Sequence, residues 1–88
     1  MNERKRKPIV KKHRAFKLSE MKSGELYIGG KTANFRIVKS LGKRYLLLDN
    51  EAIGFSNFNE LWNKLREMGV RVITAYDKYE KAHAIIML

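Results

Sequence analysis

Apolar and polar residues alternate over Glu25-Leu26-Tyr27-Ile28 and again over Asn34-Phe35-Arg36-Ile37-Val38-Lys39. That period of two is the pattern of half-buried strands, with Leu26, Ile28, Phe35 and Ile37 inward and Tyr27 and Arg36 outward. Gly29-Gly30 separates the two runs and can take the positive φ of a tight hairpin turn. Ser40-Leu41-Gly42-Lys43 predicts a second turn. Arg44-Tyr45-Leu46-Leu47-Leu48 is more continuously apolar, as a strand buried on both faces is. Upstream, Phe16, Leu18 and Met21 are apolar anchors and Ser23-Gly24 predicts a turn, so folding is expected to begin between Phe16 and Glu25.

The period then changes. After a connection over Asp49 to Phe55, with a bend at Gly54, Phe58, Leu61, Trp62, Leu65 and Met68 recur at helical spacing and form one apolar stripe. Asn57 can cap this helix, Glu60 can complete a capping-box-like pair, and Gly69 stands where a helix commonly ends. Arg71 to Tyr76 is rich in β-branched residues and predicts a strand. Asp77 to Lys81 predicts a polar turn, and Ala82 to Leu88 a last strand. Ending on Ile85-Ile86-Met87-Leu88, that strand must be paired or covered.

The predicted order is β-β-β-α-β-β: an α+β domain with one helix packed on an open antiparallel sheet. The alternative is a five-stranded barrel with the helix after the third strand, an OB-like order of elements. Residues 18–88 are expected to form this domain, and residues 1–17 a disordered basic arm.

Charge gives that arm its interest. Arg4, Lys5, Arg6, Lys7, Lys11, Lys12, Arg14 and Lys17 face only Glu3, so seventeen residues hold +7 of the formal +10 of the 88-residue chain. Like charges at this density repel one another and stay solvated until an anion neutralises them. Met21 to Tyr45 adds Lys22, Lys31, Arg36, Lys39, Lys43 and Arg44 against Glu25, whereas the remainder is close to neutral. Nucleic acid phosphate is the commonest partner for such a distribution. Tyr27, Phe35 and Tyr45 interleave with these cations, as aromatics do on sheets that stack bases, although Phe35 shares its face with Ile37 and belongs to the core.

The expected binding residues are therefore Arg4, Lys5, Arg6, Lys7, Lys11, Lys12, Arg14 and Lys17 on the arm, with Tyr27, Lys31, Arg36, Lys39, Lys43 and Arg44 on the hairpins. The expected function is a non-catalytic, accessory or regulatory nucleic-acid-binding protein, with DNA ahead of RNA. The alternative is a small regulator or inhibitor that docks on an acidic protein surface. A homodimer would enlarge either interface, and Trp62 at the edge of the helix stripe could support one.

No enzyme chemistry is expected. Gly29-Gly30-Lys31-Thr32 echoes the end of a phosphate-binding loop, but position 25 is Glu where that loop needs Gly, and a strand follows instead of a helix. His13 and His83 are isolated from other ligating residues and cysteine is absent, so no cofactor or metal is expected. No apolar run approaches the ~20 residues of a membrane span, and no apolar segment follows the basic N-terminus as in a secretory signal. A cytoplasmic protein is expected, in the nucleoid or nucleus where bound to nucleic acid.

Overall fold

The structure is a computed structural model and describes residues 7–77 and 83–88. These residues form seven strands, one α-helix and a 3₁₀ turn over Leu18–Glu20. The strands are β1 (Ile9–Lys12), β2 (Met21–Ile28), β3 (Lys31–Ser40), β4 (Lys43–Leu47), β5 (Ala52–Phe55), β6 (Val70–Asp77) and β7 (His83–Met87), and the helix α1 is Phe58–Glu67. They make one sheet in the order β1-β7-β6-β2-β3-β4-β5, with every pair antiparallel. β1 and β5 are its edges and do not pair, so the sheet is open and the barrel alternative falls.

The expected α+β class holds, with two strands added to the predicted order. β5 occupies the second half of the predicted connection, Ile53 opposite Leu46 and Phe55 opposite Arg44. β1 lies within the predicted arm. It pairs with β7, Val10 opposite Ile86, and Phe16 just beyond it is only 1% exposed. The expected disorder over 1–17 and the domain start at residue 18 are thus corrected for residues 9–16. An apolar β7 needs a partner on its outer side, and one apolar residue at Val10 suffices to anchor it. Alternation sends Lys11 and Lys12 to opposite sides of β1, both exposed, which separates their charges. Lysine at an edge also discourages pairing with another chain.

The predicted Ser23-Gly24 turn is a second correction, because both residues lie inside β2. A Cβ on Gly24 would come within 2.7 Å of the Phe35 ring and closer still to the Thr74 carbonyl oxygen. The glycine is there for close approach within the sheet, not for a bend. The predicted turn over Asp77 to Lys81 falls largely outside the described residues; Asp77 closes β6.

α1 follows its predicted signals. The Asn57 side chain accepts a 2.9 Å hydrogen bond from the Glu60 N–H, the Glu60 carboxylate accepts one of 2.9 Å from the Ser56 N–H, and Gly69 leaves the helix at φ 92°. Leu61, Trp62 and Leu65 are buried against Leu26, Leu46, Phe55, Ile73 and Ile86 on one face of the sheet. Trp62, at 3% exposure, is committed to this core and unavailable for dimerisation. The other sheet face has no covering element among the described residues. No described helix is long and apolar enough to cross a membrane.

Candidate nucleic-acid interface

Strand alternation and register determine what the uncovered face displays. Cross-strand partners share a face, so three rows can be followed across it. The first runs Ile9, Met87, Val72, Tyr27, Thr32. The second runs Lys11, Ile85, Thr74, Glu25, Asn34. The third runs His83, Tyr76, Ser23, Arg36, Leu47. Beyond Arg36, Val38 opposes Tyr45, and Tyr45 opposes Gly54.

The middle of this surface is its most structured part. The Tyr76 and His83 rings lie side by side, 6.5 Å between centroids and tilted by 50°. Tyr27 is 37% exposed, with its hydroxyl 3.5 Å from the Glu25 carboxylate. Ser23, Glu25, Asn34, Arg36 and Tyr76 line a shallow depression of about 500 Å³. A second one, of about 330 Å³, lies between Asn34, Arg36, Leu47 and Asp49. The exposed Arg36 stands between the two. Tyr45 is less available, because its ring lies against Gly54, where a Cβ would come within 3.2 Å of it.

The expected binding residues divide accordingly. Lys11, Tyr27, Arg36 and Lys43 belong to the uncovered face. Lys12, Lys31, Lys39 and Arg44 have the opposite parity and lie on the helix side, so the hairpin cations do not form one surface. Arg44 is half-buried, its guanidinium carbon 5.5 Å from the centroid of the Phe58 ring. Lys7, Arg14 and Lys17 are exposed on the chain flanking β1. Arg4, Lys5 and Arg6 lie outside the described residues.

Tyr76 and His83 were not among the expected residues. The alternation of Val72, Thr74 and Tyr76, and of His83, Ile85 and Met87, gives each its face. What sequence could not supply is that β6 is central and adjacent to β2, which brings Tyr76 beside Ser23 and Arg36.

Among the described residues no group of three or more His, Cys, Asp or Glu is placed to hold a metal ion. Among the described residues, Glu60 departs from its ordinary acidity. Its carboxyl is held below the ordinary value first by the Ser56 N–H and then by Lys64, whose ammonium is 3.1 Å away, a helix-capping effect. Comparison with protein-family models, curated proteins and solved structures returns no match.

Proposed function

We propose that the protein is a non-catalytic, accessory nucleic-acid-binding module that takes a single strand across the uncovered face of its sheet. The observation that carries this is that Tyr76 and His83 lie side by side in one row with Arg36, with Tyr27 two rows away, beside two shallow depressions on a sheet face that has no covering element among the described residues. Rings on an open sheet can stack bases, whatever their sequence, while an arginine on the same face holds phosphate. The chain is cationic overall, and the excess in residues 1–17 supplies attraction that does not depend on base identity.

Fluorescence anisotropy with labelled single-stranded DNA, duplex DNA and single-stranded RNA of equal length tests this. Single strands are expected to bind more tightly than duplex, with DNA ahead of RNA. Tyr27→Ala combined with Arg36→Ala should weaken the favoured ligand about tenfold or more, from the ~1–3 kcal/mol that stacking of one base contributes. Both side chains are exposed, so circular dichroism should show an unchanged fold. Affinity unaltered by the double variant, or a preference for duplex, removes the sheet face from the function.

A second reading has one observation in its favour. Ile9 and Ile85 are 59% and 41% exposed beside Met87 on the same face. An apolar strip of this kind suits a protein partner whose acidic rim meets the basic chain. A stoichiometric protein complex that survives nuclease treatment and is lost on Ile85→Ser would establish it.

A further inference from the structure

On the helix side of the sheet, Ser19, Met21, Lys22, Lys39, Arg44 and Phe58 are among the residues lining a cavity of about 140 Å³. Three of these are cations, and no carboxylate lines the cavity. Among the described residues none of the three forms an ion pair. Lys39 and Arg44 are directly opposite one another in the β3–β4 ladder. Like charges at directly opposed positions destabilise a sheet. The Phe58 ring offsets part of this for Arg44, but Lys39 has no such compensation. The third cation arrives through an irregularity. The register between β2 and β6 shifts between Met21 and Ser23, which leaves Lys22 unpaired and exposed beside the cavity. The 3₁₀ turn borders the cavity through Leu18 and Ser19.

We propose that this cavity binds the phosphate of a nucleotide monoester, either a free nucleoside 5′-monophosphate or the 5′-phosphate end of a strand. Lys22 and Lys39 supply point charges, and Arg44, steadied by Phe58, supplies its planar fork of donors. Ser19 can donate a further hydrogen bond. Cavities that enclose a whole drug-sized ligand run to roughly 300–1,000 Å³, so this one takes the phosphate and leaves sugar and base outside. The partly exposed Phe58 ring meets the sugar. The site lies on the opposite side of the sheet from the uncovered face, so the two can fail separately.

The full chain is titrated by NMR with adenosine 5′-monophosphate and with adenosine. Its affinity is then compared for a short DNA strand carrying either a 5′-phosphate or a 5′-hydroxyl. The amides of Ser19, Lys22 and Phe58 should shift with adenosine 5′-monophosphate and not with adenosine, or the 5′-phosphate should tighten strand binding about tenfold. The first result identifies a free nucleotide and the second a strand end. Lys22→Gln with Lys39→Gln, both at exposed positions, should abolish the increment and leave binding of the 5′-hydroxyl strand unchanged. That last quantity reports on the uncovered face and the basic residues 1–17, not on the cavity. The proposal is overturned if neither phosphate arm exceeds its control, if the increment survives the double variant, or if a phosphoserine peptide binds more tightly than both adenosine 5′-monophosphate and the 5′-phosphorylated strand.

Discussion

Leu41 occupies a position that its side chain disfavours. It sits at φ 52° in the β3–β4 turn, followed by Gly42 at φ 79°, and is fully exposed. The left-handed region costs an ordinary residue roughly 1–2 kcal/mol, and asparagine or glycine much less. No core contact compensates for it. Leu41→Asn should therefore stabilise the fold by about 0.5–1 kcal/mol and raise Tm by several degrees, as differential scanning calorimetry can measure. An unchanged Tm would mean that the turn already relaxes around leucine. The turn itself was legible from Ser40-Leu41-Gly42-Lys43; that its first central residue is a strained leucine was not, because turn type depends on how the flanking strands pair. Gly24 shows the same limit. Ser-Gly is a local turn signal, and only the Phe35 ring from the neighbouring strand explains why glycine is needed inside β2.

At the level of elements, the helix was fully legible because its signals are local: a cap, an apolar stripe and a terminal glycine within thirteen residues, 57–69. The cap also carries a pH dependence. Glu60 has its carboxyl held below the ordinary value of 4.5, chiefly by the Ser56 N–H and next by Lys64. A group whose folded value is lowered stabilises fully above its unfolded value, and that contribution disappears as pH falls through the folded one. Glu60→Gln keeps an acceptor for the Ser56 N–H but cannot titrate. The Tm advantage of the unsubstituted protein over this variant should thus be constant near neutrality and vanish on acidification below the ordinary carboxylate range. A gap that persists at low pH would point to packing of the side chain instead. The two strands that the pattern missed, β1 and β5, have four residues each and are edges. Ile9-Val10-Lys11-Lys12 does not alternate and Gly54 reads locally as a bend, and both strands exist because an apolar neighbour, β7 or β4, has an unsatisfied side. Their cause is distant in sequence.

Over the whole molecule, the sheet converts one run of sequence cations into two populations. β3 and β4 each send alternate side chains to opposite faces, so Arg36 joins the rings while Lys39 and Arg44 border the helix-side cavity. The cationic character of the first half of the chain was legible, but its division was not, because face assignment needs the register of all seven strands. The N-terminal charge is divided as well. Lys11 and Lys12 belong to β1, and cutting the chain after them would remove the partner of β7 along with the charge. Deleting residues 1–6 behind a new initiator methionine separates the two effects. It removes Arg4, Lys5 and Arg6 and leaves the β1–β7 ladder intact. On single-stranded ligands each phosphate contact contributes about 0.7 to the slope of log K against log salt. If these three residues neutralise phosphates, the deletion should make the slope shallower by about 2, with Tm and the preference for single strands unchanged. Deletion through residue 12 should instead lower Tm, because Val10 no longer packs beside Ile86. A slope that is the same with and without residues 1–6 would restrict phosphate contact to the rest of the chain, leaving Lys11, Arg36 and Lys43, with Lys7, Arg14 and Lys17 flanking β1, to carry the electrostatic part of binding.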